Sequence, residues 1–415
     1  MSFINGQREY DLVERLSFTR VTGSAEERRA AEIIAEEFKS FGLEAWTESF
    51  DIVNGSVDKA QLDILEPYTA TYEAGGYKFA PSTPEEGEEF DFIYLETLDA
   101  ASLRNARGKF ALLNESRVGA EALEKLAKAG VAGFMTISGN VDDDPKVADL
   151  DHRRFSEHLL SIAAMPALNV RMTDVYEMVR RGASRVRVTL RNSTSNDVSQ
   201  NVVAEIKGTD LADEIIVLGA HYDSTWLSKG AWDNAAGVAL IMELARYFKE
   251  NPPRRTLRFV AFGAEEIGLC GSKAYAEAHK DENIIFMINA DVGGSVVGAN
   301  SVSVTAEKGL CDWFEYLARE CGFSMNIRHG VMSSDSTSFA NKGIPAISFS
   351  RGSMIGMNVM HTHGDNMSLI GAEALASTAR IALEASKRLI NAEAFPVSRE
   401  FPENIKKELE QYSKR

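Results

Sequence analysis

The run Ile215-Ile216-Val217-Leu218-Gly219-Ala220 carries no polar side chain and ends on His221-Tyr222-Asp223. A continuous apolar run this short reads as a strand covered on both faces rather than an amphipathic helix. Residues 257–262, 284–290 and 344–349 have the same character. Between the first two, Ala236, Leu240, Leu244 and Phe248 repeat at helical spacing, and a long helix is expected over 372–394. Strand, loop and helix in repetition predict an α/β fold. The expected form is a three-layer α/β/α sandwich around a mostly parallel mixed sheet.

Toward the N-terminus, Ser24-Ala25-Glu26-Glu27 is a capping box at a helix start. Ala30, Ile34, Phe38 and Phe41 mark that helix's apolar face, Gly42 its end, and a short strand follows over 44–52. The character changes near residue 55. From there to about 195 the chain shows short alternating strands, turn clusters and the acidic run 85–89. Within it, 108–113 and 131–137 read as strands, and a helix with Ala122, Leu126 and Ala129 stops at Gly130. A further strand opens at Met165. Asp142-Asp143-Asp144-Pro145 is expected in a solvated loop. Beyond Pro396, Ile405, Leu409 and Tyr412 form a short amphipathic piece that should pack back on the surface.

The chain has 415 residues, enough for two or three domains at about 150 each. Forty-five basic against 61 acidic residues give a net charge of −16, which disfavours nucleic acid or an anionic membrane as partner. The three cysteines, Cys270, Cys311 and Cys321, form no disulfide framework and suit a reducing compartment. The first residues reach charge at Arg8 without an apolar stretch, so no signal peptide and a cytoplasmic location are expected. No apolar run is long enough to span a bilayer.

In open α/β sheets ligands bind beyond the carboxyl ends of the strands. His221 and Asp223 follow the first strand, on the same side of extended chain. Asp233 lies in Gly230-Ala231-Trp232-Asp233-Asn234, where a helix begins, and could be no more than its N-cap. Glu265 and Glu266 follow the next strand and could serve only a helix dipole. Asp291 ends a third strand, and His361 precedes the last long helix in Met360-His361-Thr362-His363-Gly364-Asp365. Singly each signal is modest. Together, His, Asp, Glu-Glu, Asp and His at successive strand ends suit two divalent ions, with one carboxylate shared and one left over as a base.

His221-Tyr222-Asp223-Ser224-Thr225, Trp232-Asp233-Asn234-Ala235-Ala236-Gly237, Ala264-Glu265-Glu266-Ile267-Gly268, Asn289-Ala290-Asp291 and His361-Thr362-His363-Gly364-Asp365 together resemble the motif series of the co-catalytic zinc exopeptidases. That family includes aminopeptidase Y, bacterial leucyl aminopeptidases and glutamate carboxypeptidase II. The resemblance implies a discontinuous catalytic domain over 1–54 and 196–415, with a protease-associated domain inserted at 55–195. It implies His221 and Asp291 on one metal, Glu266 and His361 on the other, and Asp233 bridging. Glu265 would be general base and then acid, and Asp223 the partner that orients the metal site. The metals are expected to be zinc, with cobalt or manganese as alternatives. The implied reaction is release of N-terminal residues from a peptide substrate by a hydroxide that the two metals activate.

Ser334-Asp335-Ser336, Phe339 and Gly343-Ile344-Pro345 match further family stretches expected to be structural. The sequence departs from the pattern at Trp232, at Ser336 in place of a frequent histidine, and at His363 in place of a common proline. His363 competes with His361 as ligand, with His361 favoured by its place in H-T-x-x-D. No oxyanion donor is assigned, His329 being a loose candidate. A carboxypeptidase of the same family is the alternative, and would need a basic pocket for the substrate carboxylate. A silent scaffold relative is a second. The inserted domain could cap the cleft, bind substrate or support a homodimer.

Overall fold

The computed structural model describes residues 3–139, 149–353 and 359–412. The expected loop at 142–145 lies outside the described residues. The chain divides into two compact units, one of 1–52 with 197–412 and one of 53–196.

In the first unit the helices are α1 (Gly6–Leu16), α2 (Ala25–Ser40), α3 (Ala236–Glu250), α4 (Cys270–Ala278), α5 (Gly309–Cys321), α6 (Ser336–Ala340), α7 (Ala372–Ile390) and α8 (Glu403–Tyr412). The strands are β1 (Arg185–Ile206, which enters the unit at 197), β2 (Leu211–His221), β3 (Arg255–Phe262), β4 (Ile284–Ala290), β5 (Gly298–Thr305), β6 (Asn326–His329) and β7 (Ala346–Ser353). They pair in the order β6-β5-β7-β4-β2-β3-β1. The pairs β7–β4, β4–β2 and β2–β3 are parallel, while β1 on β3 and β5 on β7 are antiparallel.

Alternation along β2 sorts its side chains. Ile216, Leu218 and Ala220 join a core with α1, α2, α3 and α7, while Ile215 and Val217 join another with Tyr275 and Phe339. Both faces are therefore covered, which is why β2 carries no polar residue from Ile215 to Ala220. The sheet is mixed and mostly parallel, with flanking helices, as its apolar runs predict.

The capping box forms at α2. Ser24 Oγ accepts from the Glu27 backbone N–H (3.0 Å), while the Glu27 carboxylate accepts from Gly23 N–H (2.7 Å) rather than from the cap residue itself. Helix α1 has no counterpart among the sequence expectations. Its buried face includes Glu9 beside Leu12, Val13 and Leu16, and a polar residue there breaks the apolar period. The tail does form a helix, α8, whose Ile405 and Leu409 pack against Val331 and Ala340.

In the second unit, Glu88–Leu95, Phe110–Leu113, Gly133–Ser138 and Ala167–Arg171 form a parallel set in that order. Helix Ala120–Ala129 ends on left-handed Gly130 (φ 73°), the conformation a glycine adopts without strain. Phe110, Leu112, Phe134, Leu168 and Tyr77 centre its core. No helix among the described residues is long and apolar enough to cross a membrane.

Candidate metal centre

The carboxyl ends of β2, β3 and β4 present His221, the Glu265-Glu266 pair and Asp291, and two loops add Asp233 and His361. The structure brings all six together, as three overlapping groups of ligand atoms: His221 with Asp233 and Asp291, Asp233 with Glu266 and His361, and His221 with Glu265 and Glu266. Asp233 lies in the middle. Its Oδ1 is 3.1 Å from His221 Nε2 and its Oδ2 is 3.3 Å from His361 Nε2. Asp291 Oδ1 is 3.5 Å from His221 Nε2, and Glu266 Oε2 is 3.0 Å from His361 Nε2.

Asp233 is not a helix cap. Helix α3 begins at Ala236, and Asn234 serves its first turn, with Oδ1 accepting from the backbone N–H of Gly237 (3.0 Å) and also from that of Val292 (3.1 Å). Asn234 thereby ties the Asp233 loop to the Asp291 loop. Asp365 fixes Asp233 from the other side, its carboxylate accepting from the backbone N–H of Trp232 (2.7 Å) and of Asp233 (3.2 Å) and from Ser228 Oγ (2.9 Å).

Asp223 stands behind the cluster. Its Oδ1 is 3.6 Å from His221 Nδ1, and its two oxygens accept from the backbone N–H groups of Glu265 (2.9 Å) and Glu266 (3.2 Å) and from Thr22 Oγ1 (2.9 Å). One carboxylate therefore fixes the strand end that carries the glutamates and lies beside the imidazole. Strain is concentrated here as well. Ala264, Val292 and His361 hold left-handed backbone (φ 56°, 59° and 61°), beside or at Glu265, Asp291 and the second histidine. A β-branched residue in that region is costly and persists where the surroundings impose it.

The electrostatics point to cations. Burial works against a charged His221, but Glu265 and the neighbouring carboxylates of Asp223, Asp233 and Asp291 outweigh it and raise its pKa well above the ordinary value. Burial also opposes a charged His361, and Glu266 and Asp233 outweigh it in the same way. Burial, with Glu266, Asp335 and Asp291, lifts the Glu265 carboxyl well above its usual range against the pull of His221. The acids thus hold protons on the imidazoles, and metal ions displace such protons when they bind. Two cluster atoms, His221 Nδ1 and Glu266 Oε1, are buried without a hydrogen-bond partner. A nitrogen-and-carboxylate donor set with an orphaned carboxylate oxygen, Glu266 Oε1, fits divalent metal of the zinc type.

Residues 201–386 match Peptidase family M28. The chain is 26% identical to aminopeptidase YwaD of Bacillus subtilis (strain 168) over 93% of this chain and 85% of that one. It is 24% identical to carboxypeptidase Q of Bos taurus over 85% and 78%. In fold it resembles a zinc aminopeptidase from Bacillus subtilis, with a TM-score of 0.78, 22% identity and coverage of 97% and 98%. An aminopeptidase from Aneurinibacillus sp. strain AM-1 gives 0.73 at 24% identity, covering 95% and 96%. The matched family and these relatives agree with the resemblance to the co-catalytic zinc exopeptidases and with a metal-dependent peptidase.

Other sequence candidates fall elsewhere. His329 lies on β6 and faces Ala306 O (2.9 Å), away from the cluster. His363 is absent from the three ligand groups, its carbonyl accepting from Asn366 Nδ2 (2.9 Å). Trp232 is buried, with Nε1 donating to Arg351 O (2.9 Å). Asp335 is wholly buried, and burial pushes its carboxyl up to about 7 against the pull of His221. Sequence reasoning missed Arg20, whose guanidinium donates to the carbonyls of Tyr222 (2.6 Å), Lys229 (2.7 Å) and Gly230 (3.0 Å). It clasps both ends of the loop between His221 and Asp233, and nothing in its sequence neighbourhood marks it.

Proposed function

We propose that the chain is an aminopeptidase that uses two divalent metals to release N-terminal residues from peptides. The observation that carries this reading is the placement of Asp233, whose two oxygens face two different histidines. His221 and Asp291 would hold one ion, Glu266 and His361 the other, and Asp233 both. Zinc is the first choice, with cobalt or manganese as substitutes; the ions would polarise the scissile carbonyl and acidify water.

The remaining roles belong to side chains. Glu265 accepts the proton of the attacking water and delivers it to the departing amine. Its raised proton affinity suits the second half of that task. Asp223 lies 3.6 Å from His221 Nδ1 and fixes the Glu265 and Glu266 backbone, so the strand end that carries ligand and base keeps its place. Asp365 orients the Asp233 backbone. Residues 53–196 would be the inserted protease-associated domain.

The similarity to a protein named aminopeptidase over nearly the whole chain supports the N-terminal direction. Relatives named carboxypeptidase Q support a second reading, with the same chemistry at the other peptide end. Free and N-blocked peptides, assayed with and without a chelator, separate the two. Chelator-sensitive cleavage of free N-termini alone is expected, and cleavage only from the C-terminal end would overturn the first reading. Glu265→Gln should retain metal and lose about 10²–10⁴ in turnover. Asp233→Ala should lose metal. Substoichiometric metal and no hydrolysis in the unaltered protein would favour a scaffold.

A further inference from the structure

Beside the strand that pairs with β4 lies a cavity of about 500 Å³, between β5, β7, α7 and the end of α5. Arg351, Arg380, Ser377 and Asn300 provide its polar lining, and Phe323 and Ile381 part of its apolar lining. In a chain of net charge −16, no carboxylate lines it.

Arg351 is held in place by neutral acceptors. It donates to Ser295 O (2.7 Å), Asn300 Oδ1 (3.1 Å) and Val296 O (3.5 Å). It forms no ion pair among the described residues, and burial alone pulls its pKa below the usual value. A guanidinium positioned by carbonyls and left without a counter-charge retains N–H groups and an electrostatic demand for an anion. Arg380 adds a second cation, paired with Glu373, whose side chain is largely exposed. Ser377 Oγ accepts from Asn300 Nδ2 (2.8 Å), so its own hydroxyl proton remains to donate. Ile381 is 2% exposed and gives the cavity an apolar wall beside these donors.

We propose that this cavity binds a small organic anion, a carboxylate or phosphate monoester carrying a short branched apolar group. The anionic head meets Arg351, Arg380 and Ser377, and the apolar body lies on Phe323 and Ile381. The site is separate from the proposed metal cluster, and its failure would leave the peptidase reading untouched. The two are nevertheless linked, because Arg351 O accepts from Trp232 Nε1, one residue before Asp233.

Calorimetric titration of the full metal-loaded chain tests this with isovalerate, isobutyl phosphate and inorganic phosphate, in chloride-matched buffer. Saturable binding of one organic anion per chain is expected, and the preferred organic ligand identifies the head group. Arg380→Glu should weaken it by at least about tenfold. Ser324→Asp, at a lining position near the rim, adds a carboxylate without disturbing the core and should act the same way. Three results would overturn the proposal: no saturable binding of either organic anion, inorganic phosphate binding as tightly as isobutyl phosphate, or binding that survives both substitutions. The last would assign the anion to the metals.

Discussion

Arg20 shows what one side chain contributes to this site. It is fully buried, and burial pulls its pKa down only to about 10, so it stays charged at neutral pH. Its guanidinium serves carbonyls of Leu16, Phe18, Tyr222, Lys229 and Gly230. Arg20→Met would leave several of these buried acceptors unpaired, at about 1–3 kcal/mol each. We expect a loss of at least about 3 kcal/mol in urea denaturation, with weaker metal retention in the variant that still folds. Unchanged stability would mean that water replaces the guanidinium. Arg20 is invisible in sequence because its partners across the site lie some two hundred positions away. His221, Asp233, Glu265, Glu266, Asp291 and His361 were legible because most of them sit at or near a strand end, where the topology itself defines a site. Asp365 was legible as a motif residue but its work was not. That work is to hold two backbone N–H groups, and sequence patterns do not show backbone donors.

At the level of elements, the boundaries of β3 and β4 follow from their apolar runs, whereas α1 follows from a pattern the sequence obscures. Its Glu9 is 1% exposed, and both carboxylate oxygens lack hydrogen-bond partners. They border a cavity of about 10 Å³, room for roughly one water, lined also by Gly237, Gly293 and Thr378. Burial, then Glu243, raises the Glu9 pKa well above its ordinary value, against the pull of Arg380 and Arg8. The unfolded chain loses this proton near the ordinary glutamate pKa, while the folded chain keeps it. Above that pH the native state binds more protons than the unfolded state, so its stability falls as pH rises toward the raised native pKa, by up to about 1.4 kcal/mol per pH unit. Glu9→Gln removes the titration. Urea midpoints from pH 5 to 9 should fall more steeply in the unaltered protein than in the variant, and equal slopes would show that Glu9 titrates normally. Helix α3 offers the converse lesson. A cap was readable near Gly230–Gly237, but Asp233 stood as the candidate for it. The side chain that serves the first turn is that of Asn234, while Asp233 turns its oxygens toward two histidines.

The whole molecule divides into units with their own cores, and every candidate metal residue belongs to the unit of 1–52 and 197–412. The change of composition near residue 55 was readable because solvated turns and short strands replace long apolar runs. Less readable was where strands cross that boundary. Strand Ala45–Glu66 runs on past the short strand expected at 44–52, since alternating residues continue a strand without any apolar punctuation. Metal would act on one of these units directly. A ligand that binds only the native state stabilises it by about 4 kcal/mol at a thousandfold excess over its Kd. Removing bound ions would also leave Asp233, Glu265, Glu266 and Asp291 with only protons to balance them. Chelation should therefore lower the protection of residues 197–412 in hydrogen exchange, most strongly at the ends of β2, β3 and β4. Residues 53–196 should keep theirs, since none of the ligand groups lies among them. Mass-resolved exchange of the full chain, with and without chelator, measures both in one sample. Equal loss of protection in both units would show that they unfold as one. No loss in either would show that the cluster holds no structural metal, and would remove the support for the ligand assignment.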